Sequence, residues 1–139
     1  MAIAQAMCSS FKQELFQGIQ VIGTDTFKIA LYSSSATLGA STTVYTTSNE
    51  ITGTGYTAGG LVLTGATVAL YGTTAIATFS NPSWTTATFT ARGALIYNSS
   101  KANRAVAVLD FGSDKIVSAG TFTIQIPTPD ATNALLRIA

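Results

Sequence analysis

A chain of 139 residues is long enough for one core and too short for two of ordinary size, so a single domain is expected. Apolar residues make up 47% and charged residues only 9%, with seven Lys/Arg against six Asp/Glu; that balance leaves no cationic surplus for a nucleic-acid partner. The lack of histidine removes Ser/His and Cys/His catalysis and the commonest zinc ligand, and a lone cysteine, Cys8, excludes an intrachain disulfide.

The stretch from Met1 to Ser10 has neither a basic leader nor a long apolar core, so it does not read as a secretory signal. No run approaches the roughly 18 to 20 apolar residues that cross a bilayer. A protein made in a cytoplasm, with no membrane partner, is expected. Residues 1–23 read as an N-terminal arm with one short helix, and 24–139 as the body of the domain. Ser10 is placed to cap the helix, with Gln13 three residues on and Gly18 to stop it. Phe11, Leu15 and Ile19 recur every four residues on one face. So short a helix does not persist alone in water, so its apolar face must dock on the sheet or on another subunit.

After Gly23-Thr24-Asp25, the run Phe27-Lys28-Ile29-Ala30-Leu31-Tyr32 alternates strictly, with Phe27, Ile29 and Leu31 on one face. The Ser/Thr/Gly-rich stretch from Ser33 to Gly60 reads mostly as loop, with a short strand at Thr43-Val44-Tyr45-Thr46. Alternation resumes at Leu61–Thr64, Thr67–Tyr71 and Ala75–Phe79, the last two forming a hairpin across Gly72-Thr73-Thr74. Trp84–Thr90 and Ala94–Tyr97 read as strand, and Arg104–Phe111 returns after a polar loop. Gly112-Ser113-Asp114-Lys115 has turn chemistry, Thr121–Ile126 alternates again, and Leu135–Ile138 closes the chain. Short strands separated by turns, with one helix, predict an all-β fold. Specifically, they predict an antiparallel β-sandwich, jelly-roll or Ig-like, of about eight strands.

Sites for chemistry are sparse. Asp110 and Asp114 could flank a turn, but they lack the further oxygens calcium requires, so turn-forming aspartates are expected. Gly53-Thr54-Gly55-Tyr56-Thr57-Ala58-Gly59-Gly60 has no lysine after its glycines and fails as a phosphate cradle; a flexible loop is the better reading, with glycines that permit positive φ or the close approach of another chain. Trp84 and the tyrosines raise the possibility of a sugar platform against the commoner reading as core. Arg92 and Arg104 are candidates to pair with Asp110 or a neighbouring subunit. No catalytic residue, cofactor or metal is expected, and the chain reads as a non-enzyme.

The runs Phe27–Tyr32, Gly53–Gly60, Ala91-Arg92-Gly93-Ala94-Leu95-Ile96-Tyr97-Asn98 and Arg104–Gly112 together resemble a family of small virion proteins of tailed bacteriophages. The resemblance runs from about Lys12 to the C-terminus. It implies a viral structural protein of the virion, and by analogy a capsid decoration or cement protein, a homo-oligomer (a homotrimer by preference) seated on the major capsid protein. The alternative is a tail, fibre or baseplate protein, with loops that could contact a host glycan. Candidate interface residues are Phe11, Leu15, Phe16 and Ile19 on the helix, with Tyr45 and Tyr56 in the Ser33–Gly60 stretch. Against an intersubunit role stands the simpler outcome, in which the helix plugs one end of its own sandwich.

Overall fold

The computed structural model describes residues 2–138. In chain order these form β1 (Ala6–Met7), α1 (Ser9–Phe16), β2 (Phe27–Tyr32), β3 (Leu61–Val62), β4 (Thr67–Tyr71), β5 (Thr74–Thr78), β6 (Ser83–Asn98), β7 (Arg104–Thr123) and β8 (Leu136–Ile138). The strands make a five-stranded sheet, β1-β7-β6-β2-β3, and a three-stranded sheet, β4-β5-β8, both antiparallel. The all-β sandwich with one short helix is the architecture that the period-two alternation predicts.

Both faces of the larger sheet are covered. Register places Phe27 opposite Asn98, Ile29 opposite Ile96 and Leu31 opposite Ala94, so these six side chains share a face. The second sheet closes on that face, where the Phe27 and Phe79 rings lie 5.6 Å apart. Lys28 opposite Tyr97 and Ala30 opposite Leu95 define the other face. The irregular Ser33–Gly60 stretch lies over it, and Tyr45 stacks on Tyr97 at 4.6 Å between ring centroids. The result is that Ala30 and Tyr32 are buried as fully as Ile29 and Leu31, and every residue of the strand but the half-buried Lys28 is buried.

The helix departs from expectation at its start and obeys it at its end. Its N-cap is Cys8, with no side-chain capping bond, and Ser10 lies inside the first turn, its buried Oγ without a hydrogen-bond partner. At the other end Gly18 adopts φ +69°, its N–H bonds to Leu15 O, and the Ile19 N–H bonds to Glu14 O. Those two bonds satisfy terminal carbonyls in the 5→2 and 6→1 pattern, which needs a left-handed residue at Gly18.

Three further expectations are revised. Gly112-Ser113-Asp114-Lys115 is not a turn between strands: β7 passes through it, with Gly93 paired to Asp110 and Ala91 to Lys115, so the extra residues form a bulge. Likewise Thr43–Thr46 contributes only a single bridge, Val44 to Arg104. The glycine-rich stretch is also tied down rather than free. Thr54 bridges Thr88 of β6, and a Cβ at Gly53 would lie 2.5 Å from the Thr88 carbonyl oxygen. The close approach that these glycines permit is to their own chain. The β4–β5 hairpin is present as expected but with a shorter turn: Tyr71 pairs with Thr74, so Gly72-Thr73 alone connect the strands, and β5 ends at Thr78.

Candidate interaction site

The helix positions its residues by angle. Phe11, Glu14 and Leu15 lie on the side facing the sheet, whereas Phe16, five residues beyond Phe11, is turned about 140° away. Phe11 is 1% exposed and Phe16 is 96% exposed. Leu15 and Ile19 are half-buried between these extremes. Phe11 is therefore used inside its own subunit and is unavailable to another, a correction to its place among the interface candidates.

Beside the helix, the second sheet leaves apolar surface open. Register puts Val68, Ala77 and Leu136 on one face, together with Leu70, Ala75 and Ile138. Ala77 and Leu136 are buried, but Val68 is 61%, Leu70 70% and Ile138 53% exposed. Between this face and α1 run two adjoining pockets, of about 130 Å³ and 420 Å³, which share Met7, Leu15, Arg137 and Ile138. Phe16 and Lys12 border the larger one. Chain order hides the groove because it is assembled from the arm, the helix and the last strand. The alternation of Val68 and Leu70 was its one sequence signal, and it marks a shared face without telling whether that face is covered.

Tyr45 and Tyr56 take a different part. Glu50 Oε1 accepts the Tyr45 hydroxyl at 2.6 Å, and Oε2 accepts the Tyr56 hydroxyl at 2.5 Å and the Gly59 N–H at 2.7 Å. Tyr56 Oη also accepts the Leu31 N–H at 3.0 Å, and the Tyr32 and Tyr97 hydroxyls donate to Thr46 O and Gly59 O, each at 2.6 Å. Burial, and then hydrogen bonding to Glu50, push the Tyr45 and Tyr56 hydroxyls well above the ordinary phenol range. Protonated phenols around a carboxylate with filled lone pairs hold a loop in place. Both half-buried tyrosines thus work within the chain, through a glutamate absent from the sequence-based candidates.

A second polar node lies under the helix. Buried Glu14 pairs with Arg104 and accepts Gln20 Nε2 at 2.8 Å; Gln20 Oε1 in turn accepts Asn98 Nδ2 at 3.3 Å. Asn98 also donates to Asp25 Oδ2 at 2.8 Å, and Lys101 Nζ lies 2.9 Å from Asp25 Oδ1. These bonds tie the segment after the helix to the β6–β7 hairpin. Arg92 pairs with Asp110 at 3.2 Å on the surface, so Arg104 finds Glu14 instead of the aspartate considered for it.

Cys8 is fully buried, and burial followed by the Glu14 charge pushes its thiol up to about 11, away from the thiolate a nucleophile needs. Among the described residues no three His, Cys, Asp or Glu side chains gather to hold a metal ion. Trp84 is 3% exposed and packed among Tyr56, Phe89 and Phe122 at centroid distances of 5.9 to 6.4 Å, which leaves no open indole face for a sugar. No described helix is long and apolar enough to cross a membrane.

Compared with protein-family models, with curated proteins and with solved structures, the chain matches none.

Proposed function

We propose that this chain is a non-catalytic structural protein of a tailed-phage virion, acting as a capsid decoration or cement protein through contacts between subunits. The observation that carries the reading is the open apolar strip of Phe16, Val68, Leu70 and Ile138 beside the α1 groove. Exposed apolar surface of this kind marks a protein–protein contact, and covering a side chain such as Phe16 or Leu70 is worth about 1.5 to 3 kcal/mol. The interior supports a scaffold in place of an active centre, because its carboxylates are occupied by tyrosine, glutamine, asparagine and arginine partners. Low charge suits repeated copies packed closely, since little long-range repulsion opposes them. The resemblance of Ala91–Asn98 and Arg104–Gly112 to small phage virion proteins supplies the virion, and by analogy a trimer seated on the major capsid protein.

Phe16→Ser is the informative substitution, because Phe11→Ser would cut into the core. Light scattering of the wild type should give an oligomer, and Phe16→Ser should shift it toward monomer without changing the circular-dichroism spectrum. A wild type that stays monomeric at high concentration and binds no particle would end the assembly reading. Counting copies per purified particle by quantitative mass spectrometry separates the shell, which requires hundreds of copies, from the tail, which needs a few to a few tens.

A further inference from the structure

Acids in this chain are few enough to account for one by one. Glu14 pairs with Arg104, Asp25 with Lys101 and Asp110 with Arg92. Glu50 holds Tyr45 and Tyr56, and Asp130 accepts the N–H groups of Thr132 and Asn133. The sixth, Asp114, is exposed and alone has neither a hydrogen bond nor an ion pair among the described residues. It stands at the β7 bulge, two residues from Ile116, which is 77% exposed. Both side chains are exposed where the bulge rejoins the ladder at Lys115, so this segment presents a carboxylate and a branched apolar side chain two residues apart.

The groove beside α1 has the opposite character. Its floor and rim are apolar, its charged members are Lys12 and Arg137, and neither of these cations pairs with an acid among the described residues. Groove against groove would bring like charges together, which disfavours that form of self-contact. The bulge lies too far away to fill the groove of its own chain. Ile116 pairs with Thr90, while Met7 at the groove pairs with Ala107, opposite Ile96, so the two sites are separated by six β6 residues, or about 20 Å.

We propose that the Asp114–Ile116 projection of one copy docks into the α1–β8 groove of a second copy, with Ile116 against Leu15, Phe16 and Ile138 and Asp114 between Lys12 and Arg137. The contact rests on the assembly reading given above and names its two surfaces. Because each copy carries one projection and one groove, repetition generates a closed two-fold pair, a ring such as a trimer, or an open chain, according to the angle between them.

The test is charge reversal with rescue. Wild type, Asp114→Lys, the pair Lys12→Glu with Arg137→Glu, and the protein carrying all three changes are compared by light scattering over a concentration series. Ile116→Ser is included as a neutral control for the apolar half of the contact. The wild type should associate. Asp114→Lys, the groove pair and Ile116→Ser should each weaken association by at least about tenfold, and the triple change should restore it. If the wild type associates and Ile116→Ser or Asp114→Lys leaves association unchanged, this contact is wrong while the assembly reading stands. Weakening by both reversals without recovery in the triple protein also overturns it. A wild type that is monomeric throughout removes both proposals. Ile116 and Asp114 are exposed, so their substitution leaves the core intact and keeps the result readable.

Discussion

Tyr56 donates its hydroxyl hydrogen to Glu50 Oε2 at 2.5 Å, while its own Oη accepts the N–H of Leu31 in β2. The phenol thus joins the glycine-rich stretch, the acidic loop residue and a central strand in one node. Tyr45 and Gly59 occupy the rest of the Glu50 carboxylate. Glu50→Ala strands these donors in a half-buried site and should cost about 2 to 4 kcal/mol in urea unfolding. It should also open residues 46–59 to limited proteolysis. Unchanged stability together with unchanged protection would show that the loop is held by other contacts.

Alkaline stability follows from the same tyrosines. Burial first, and then the Glu50 charge or hydrogen bond, raise the folded-state pKa values of Tyr32, Tyr45 and Tyr56. An unfolded tyrosine releases its proton near pH 10. Between that value and the higher folded pKa, the native state binds more protons than the unfolded state, so stability falls as pH rises. Their contribution is fully present below about pH 10 and is lost above it. Urea midpoints measured from pH 8 to 11 should be flat at first and then drop. Replacing Tyr45 with Phe should make the drop shallower, and an identical slope would contradict the assignment.

Gly60 and Gly72 both have positive φ, at +81° and +63°, yet they should respond differently to alanine. At Gly60 an added Cβ would fall 1.8 Å from the Ile29 carbonyl oxygen, whereas at Gly72 it meets nothing within 4 Å. Gly72→Ala carries only the backbone penalty, about 1 kcal/mol. Gly60→Ala must also push β2 away from the loop above it, and should cost at least about 3 kcal/mol or prevent folding. Equal losses in denaturant titrations would show that the Gly60 crossing yields easily.

Where one physical rule decides the structure, the sequence was readable. The β2 alternation and the Gly72 hairpin are local, and both are present. The long β6–β7 ribbon was missed as a unit because Gly112-Ser113-Asp114 satisfies turn chemistry, and a bulge inside a paired strand uses the same residues. For the helix, the spacing of Phe11, Leu15 and Ile19 found the inward face but not its polar member. Glu14, three residues after Phe11, shares that face, and its burial depends on Arg104 and Gln20 arriving from distant segments. Glu50 was invisible for the same reason. Phe16 could have been separated from Phe11 by helical angle alone, whereas Val68 and Leu70 share a face with the buried Ala77 and Leu136, and their openness depends on how far the packed layers reach along β4, which periodicity does not encode.

Asn98 offers the sharpest test of the node beneath the helix. It is fully buried, donates from Nδ2 to Asp25 and Gln20, and accepts the Ser100 N–H at 3.0 Å. Asn98→Leu keeps the branched shape and the side-chain heavy-atom count but is bulkier and removes all of these bonds, and should cost at least about 2 to 4 kcal/mol. The Asp25 carboxylate extends the argument to acid. Burial acts against its charge, but hydrogen bonds from the Val21 N–H, Asn98 and Lys101, with the Lys101 charge, outweigh burial and lower its pKa. A depressed folded pKa means that the stabilisation is present above the unfolded value, about 3.9, and is lost as pH falls through the folded one. Asp110 and Asp130 are lowered as well, by N–H groups from Gly112 and from Thr132 and Asn133. Asp25→Asn should therefore flatten part of the acid loss, not all of it. Urea midpoints of wild type and Asp25→Asn at pH 5.5 and pH 2.5 should converge as pH falls. If the two proteins lose the same stability over that interval, Asp25 is not a charged anchor of the node.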